Sequence, residues 1–409
     1  MKLIKINKQN SFSIILIIIL GSSVFSSYFQ IIKDVLSLSG HHDFQWSPAK
    51  LVFENINHYQ YMLDGKTEKI MMSQYGEYLH GLYILLYPYT LMDWSYAKIS
   101  WMLTNMILLF LIPIMLCKKF SLSIDKSILV IFFFSFCIVS KVQIVTGQQT
   151  LLILFFFILP FVKETKINVI LSGISYFKYT IGYSIFLYYL SLNKFKFLLL
   201  TSIPATIGWL LYSFITGSGP LTTLYQPLEL AFENQLAGET SNNMPKNKFI
   251  FSIFEKIEFI NFYYKSLLFL TLSIILNYFF ILKIKSLDDN LLKLSCLSLS
   301  TLIFFPHYPH DYVMLLPFLI HSIKNFSFLI SKITFVLTVY FLHFFKGLNI
   351  YFVKGLNYLN KDKIVLDFFD YSISYINILL LLFMLVVNLM GNNKINGKNA
   401  TKIGAVRET

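Results

Sequence analysis

Apolar runs of membrane-spanning length recur from Ser11 to Met390, and this recurrence constrains the chain more than any motif in it. A hydrocarbon core about 30 Å thick is crossed by a helix of roughly 20 apolar residues, which satisfies every backbone group within itself. Hydropathy places such segments near 11–32, 97–116, 127–140, 149–162, 167–177, 181–192, 197–215, 264–282, 291–305, 313–323, 331–345 and 373–390. The expectation is an all-α polytopic transmembrane bundle of about 12 membrane segments, occupying residues 1–391 as a single domain, followed by a polar cytoplasmic tail at 392–409. Charged residues make up 13% of the 409, against about a quarter in soluble domains. A water-soluble multidomain enzyme is excluded on that ground.

Lysine and arginine total 34 against 21 acids, for a net charge of +13, and Arg407 is the single arginine. These cations sit singly between apolar blocks instead of gathering on one face, so no nucleic-acid partner is expected. With the N-terminus inside and the segments alternating, the inner connections carry net +14 and the outer ones net −1. That asymmetry is the positive-inside pattern. It predicts an integral, multi-pass protein of a bacterial inner membrane with both termini cytoplasmic. Residues 1–30 resemble a signal peptide, but apolar character continues to Ile32, which favours an uncleaved first helix. Cys117, Cys137 and Cys296 lie far apart in apolar surroundings and read as small fillers.

Three outer stretches, about 33–96, 216–262 and 346–371, are too long for turns, and loops of that length usually carry function. In the first, Ser47–Met62 and Tyr78–Met92 are expected to form helices at the outer interface, with Ser47 as N-cap and Pro48 opening the helix. Segments 167–177 and 181–192 are of half length, with Lys163, Lys166, Lys194 and Lys196 flanking the pair on one side. They predict a hairpin with its tip at Lys178–Gly182 beside an outward cavity, since irregular backbone at membrane depth needs protein or water around it. The absence of an internal repeat weighs against a secondary transporter.

Several residues stand where chemistry can occur. His41, His42 and Asp43 follow the first span beside Phe44 and Trp46, so Asp43 is either an ordinary loop carboxylate or a general base tuned by burial. In Phe305–Tyr312, two prolines fix a turn in which Asp311 caps the next helix, or the clustered His and Asp side chains, His307, His310 and Asp311, bind phosphate or a metal. No ligand spacing indicates a metal, and no cofactor is expected. Thr146–Thr150 is a polar stop between apolar segments. Lys178 is a lone intramembrane cation, either a site residue or one that snorkels to the interface. Glu229, Glu233 and Glu239 with Lys246 and Lys248 read as a solvated loop face.

In this order the pieces resemble glycosyltransferase family 87, membrane transferases of the GT-C fold. The resemblance rests on Asp43–Phe44 and Leu63–Gly65; Tyr75 through Tyr87 and Pro88; Ala97, Trp101 and Asn105; Gly147 and Gln148; Ser172, Gly173 and Lys178; and Pro306, His310, Tyr312, Leu315, Leu316 and Pro317. Departures from the family pattern are Thr150 for an asparagine, Tyr179 for a proline, Gly76 and Glu77 for paired prolines, and a missing tryptophan in the last turn. The resemblance implies transfer of a hexose, typically mannose, from a polyprenyl-phosphate carrier to a lipid- or glycan-linked hydroxyl on the outer face, with inversion. It implies Asp43 as the base and His41, His42, Gln148, Lys178, His310 and Tyr312 around the substrates. The competing readings are a flippase for a lipid-linked glycan, and a ligase or polymerase of such glycans.

Overall fold

The computed structural model describes residues 44–71, 78–239, 262–305, 307 and 309–343, with scattered helical residues between 22 and 36. The last expected segment, 373–390, and the tail lie outside the described residues, as does most of the first segment. All regular structure among the described residues is helical: α1 (Trp46–Phe53), α2 (His58–Leu63), α3 (Gly81–Leu85), α4 (Tyr87–Thr90), α5 (Trp94–Lys119), α6 (Ile124–Phe136), α7 (Ile138–Val145), α8 (Thr150–Val162), α9 (Lys166–Ser172), α10 (Tyr179–Ser191), α11 (Phe195–Ile215), α12 (Pro220–Glu239), α13 (Phe262–Ile284), α14 (Asn290–Phe304), α15 (Leu316–Lys324) and α16 (Leu329–His343). Two tight 3-10 segments, Gly173–Phe177 and Pro309–Leu315, interrupt the series.

Among the described residues the apolar runs from 97 to 343 are built of helices, but twelve separate crossings are not shown. Among the described residues α5 and α11 are long and apolar enough to cross a membrane, and α6 with α7 make a third if the bent pair is one span. At 26 residues α5 is about 39 Å long, more than a bilayer core requires. α8 and α10 have 13 residues each, about 20 Å, and stop short.

Polarity is distributed as lipid demands. Leu103, Ile107, Leu111 and Ile114 form an outward stripe on α5, while Trp101, Asn105, Leu109 and Ile112 of the same helix are buried. Gln143, Gln149, Ser184, Asn277 and Ser300 are wholly buried in the interior. A soluble protein reverses this arrangement.

The 51° bend between α6 and α7 lies at Cys137. Its thiol donates to the Phe134 carbonyl (3.0 Å) and accepts from the Ser140 amide (3.3 Å), and the Ser140 hydroxyl donates to the same carbonyl (2.7 Å). The break thus supplies its own partners for groups that lipid cannot satisfy. Cys137 is more than filler, whereas Cys117 and Cys296 are simply buried free thiols.

The helices alternate between two ends. Lys194 pairs with Glu164 (2.5 Å), Lys285 donates to the Ser191 carbonyl (3.1 Å), and Lys126 to that of Lys324 (2.8 Å), which gathers the lysine-rich connections at one end. The opposite end holds α1 to α4 of the first long loop. Ser47 does not cap α1; Gln45 precedes the helix, and the Ser47 hydroxyl accepts from the Met71 amide (3.1 Å). The chain enters α1 through left-handed backbone at Phe44 (φ 39°) and Gln45 (φ 70°), and that turn, instead of a side-chain cap, sets the helix start.

At this end Tyr59, His80 and Tyr212 form a buried aromatic box, with the His80 ring nitrogen Nε2 2.9 Å from the Thr223 carbonyl. Burial pushes the His80 imidazole down to about 4, against a smaller upward pull from the Thr223 carbonyl. Between that value and the ordinary 6.5, the unfolded chain binds a proton that the folded one refuses. The stability contributed by neutral His80 is complete above pH 6.5 and is lost as pH falls toward 4, at no more than about 1.4 kcal/mol per pH unit. In detergent, the thermal midpoint of the wild type is expected to fall over this window, and His80→Gln to flatten that fall. Parallel pH profiles for the two proteins would exclude His80 as the cause.

Candidate functional site

Three interruptions of helix meet in the interior: the break between α7 and α8, the junction at Lys178 between the first 3-10 segment and α10, and the second 3-10 segment. Each is enforced locally. Gly147 adopts φ +63°, which a side chain disfavours, and so turns the chain between α7 and α8. Gly182 packs against the backbone of Ser175 and Tyr176, so that α10 doubles back on the 3-10 segment. The Lys194–Glu164 pair joins the far ends of the two arms. The hairpin expected from the sequence, with Lys178 at its tip, is therefore present.

At the meeting point lies Asp311, 1% exposed. Lys178 Nζ donates to Asp311 Oδ1 (2.5 Å) and to Thr150 Oγ1 (3.1 Å), and the Thr150 hydroxyl itself donates to Asp311 Oδ1 (2.5 Å). His307 Nδ1 meets the other carboxylate oxygen at 2.9 Å, and its Nε2 meets the Thr301 carbonyl at 2.8 Å. Both ring nitrogens thus face acceptors and hold the imidazole between the carboxylate and α14. His310 Nε2 lies 3.6 Å from Asp311 Oδ1, and Lys178 Nζ sits 5.9 Å from the centre of the Tyr78 ring. α8 begins at Thr150 and α10 directly after Lys178, so two helix N-termini, each carrying partial positive charge, open on the cluster. The cluster thus sets a buried lysine–carboxylate pair, with two histidine rings beside it, at the positive ends of two helices.

A second set of contacts ties the 147–149 loop to the aromatic entrance. Trp101 Nε1 donates to the Gly147 carbonyl (2.9 Å), Gln143 Nε2 to that of Gln148 (2.5 Å), and Gln149 Nε2 to that of Phe44 (2.7 Å). Phe44 stacks on Trp101 with ring centres 5.1 Å apart and on Trp94 at 5.7 Å.

Of the residues expected from sequence, Lys178 and His310 come together, Tyr312 is buried next to Asp311, and Gln148 is two residues from Thr150. His41, His42 and Asp43 lie outside the described residues. Asp311 does not cap the following helix. It belongs to the 3-10 segment, α15 starts after Leu315, and the carboxylate is occupied by Lys178, Thr150 and His307. Sequence reasoning named Asp311 and His307 only within their own turn and Thr150 only within a polar stop, and did not join them to Lys178. Two signals pointed to them: an acid four residues after a histidine in a proline turn, and a hydroxyl directly after Gly-Gln-Gln. Among the described residues, no three His, Cys, Asp or Glu side chains converge as a metal ion would require.

Comparison with known proteins finds no match by family model, by sequence among curated proteins or by fold among solved structures.

Proposed function

We propose that the chain is a membrane glycosyltransferase that moves a hexose, mannose by family resemblance, from a polyprenyl-phosphate carrier to a lipid- or glycan-linked hydroxyl on the extracytoplasmic face of a bacterial inner membrane. The observation that carries this reading is the buried Lys178–Asp311 pair, with His307 and His310 beside it, at two helix N-termini in a bundle whose outer surface is apolar. A lipid-borne phosphate is the anion that can reach a site of this kind from within a bilayer.

In the proposed reaction the acceptor hydroxyl attacks the anomeric carbon as its proton passes to a base. The bond from that carbon to the phosphate oxygen breaks, and the carrier phosphate leaves with the electron pair. Lys178, His310 and the two helix N-termini would stabilise the charge that develops on the phosphate. Asp311 is unsuited to be the base, because Lys178, Thr150 and His307 already donate to it, and hydrogen bonds to a carboxylate weaken its basicity. It serves as the positioning residue for Lys178, and the role of base stays with Asp43. The left-handed backbone at Phe44 and Gln45 supports this, since strained conformations cluster at functional sites.

Purified protein given a short polyprenyl-phosphate-mannose and a crude membrane acceptor is expected to transfer mannose with or without chelator. Asp43→Asn should abolish transfer at unchanged expression. Retained activity in that variant would remove Asp43 from the role, and no turnover of donor by the wild type would sink the transferase reading. The helices interrupted around a buried ion pair favour, as second reading, a carrier that flips a lipid-linked glycan, because half-helix N-termini hold anionic substrates in transporters. Reconstituted vesicles that translocate such a lipid without forming product would establish that reading instead.

A further inference from the structure

Asn105, Gln143 and Gln149 are wholly buried, and each spends its amide NH2 on a backbone carbonyl: Trp101 (3.2 Å), Gln148 (2.5 Å) and Phe44 (2.7 Å) respectively. Because those partners are pure acceptors, the amide orientations are fixed, and flipping any of them would set oxygen against oxygen. Their carbonyl oxygens, Asn105 Oδ1, Gln143 Oε1 and Gln149 Oε1, are buried acceptors with no donor among the described residues. Native interiors rarely leave one such atom unsatisfied. Here three fall around one short loop: Gln143 holds the Gln148 carbonyl, Gln149 is the last loop residue, and Asn105 is one turn along α5 from Trp101, which holds Gly147. The loop runs directly into Thr150, which touches both Lys178 and Asp311.

We infer that these three amides form an acceptor-only subsite that reads the hydroxyl groups of the sugar in a lipid-phosphate-sugar, while the neighbouring Lys178 cluster holds its phosphate. The inference rests on the function proposed above and adds to it the recognition of the sugar. Unsatisfied carbonyl oxygens can be met by a cation or by neutral donors. A cation is disfavoured because Lys178 and the N-termini of α8 and α10 already stand beside the loop. Hydroxyl groups bring donors without charge. Trp101, bonded to the loop and stacked on Phe44, places a fluorophore against the subsite.

Binding to the full-length protein in detergent, followed by tryptophan fluorescence, tests this without requiring transfer. Polyprenyl-phosphate-mannose is expected to bind at least about tenfold more tightly than bare polyprenyl phosphate, because a site built for hydroxyl groups penalises their absence. Carriers bearing deoxy-mannose should lose that advantage at the hydroxyls read. Gln143→Met and Asn105→Leu should remove the preference for the sugar while leaving affinity for the bare carrier, whereas Lys178→Met should weaken both ligands together. Equal affinity of the unmutated protein for sugar-bearing and bare carriers would overturn the subsite, as would insensitivity to every deoxy-sugar. Because the wild type and the analogue series carry the decision, a variant that fails to fold does not blur it. Sugar preference without turnover would keep the subsite and sink the transferase, and turnover without sugar preference would do the reverse.

Discussion

Asp311→Ala is expected to destabilise the protein by about 3–5 kcal/mol, while Lys178→Met combined with Asp311→Leu recovers most of that loss. The asymmetry follows from burial. The side chains of Lys178 and Asp311 are 11% and 2% exposed, so removing the carboxylate leaves the Lys178 ammonium buried without a counter-charge. Breaking one partner of such a pair costs several kcal/mol, whereas exchanging both for apolar groups of similar volume is often close to neutral. Thermal unfolding of the wild type, both single variants and the double variant closes the cycle. Additive changes would show that the two side chains are not energetically coupled and would remove Asp311 as the positioning residue. Activity separates from stability in the same set. Lys178→Met leaves Asp311 with Thr150 and His307 as donors, so it should fold, yet lower transfer about 10²–10³-fold, as loss of one charge-stabilising donor does elsewhere.

What the sequence could disclose follows from which forces are local. Apolar runs fix helices because backbone groups in lipid have no other partner, so α5 through α11 and α13 through α16 fall close to the expected runs, whereas α12 is a helix inside a stretch expected as outer loop. The half-length hairpin was legible for the same reason, since 11 or 12 apolar residues flanked by lysines cannot cross and must return. The tip lysine was legible as a charge with no nearby acid in sequence, but its partner was not: Asp311 is 133 residues away and sits in a proline turn where a local cap was the simpler reading. Thr150 looked like a departure from the family pattern, yet its hydroxyl is the atom that joins Lys178 to Asp311. Ser47 followed by Pro48 carries a good capping signature, and the tertiary bond to Met71 outweighed it. Among the described residues two or three crossings are shown in place of the expected twelve segments, and composition alone does not distinguish a 13-residue helix ending at a buried ion pair from one ending in water.

Gly182→Ala is expected to impair the site from a position that touches none of its charged atoms. A Cβ at this residue would sit about 2.5 Å from the Ser175 carbonyl carbon and from Tyr176 Cα, both of them backbone that cannot rotate away. The first turn of α10 must then lift from the 3-10 segment, and Lys178 sits at the junction of the two. Overpacking of this kind costs about 1–3 kcal/mol, and a displacement near 1 Å at a catalytic group lowers rate about 10²-fold. Gly65→Ala is the matched control. Gly65 has φ +72° and nothing within 4 Å of the added carbon, so its substitution at an exposed turn carries only the left-handed strain, about 1–2 kcal/mol. The two variants should therefore lose comparable stability but differ sharply in transfer, and in binding of bare polyprenyl phosphate. If Gly182→Ala matched Gly65→Ala in both measurements, the position of Lys178 would not depend on the closeness of the hairpin arms, and the tip would have to be held by the Asp311 ion pair alone.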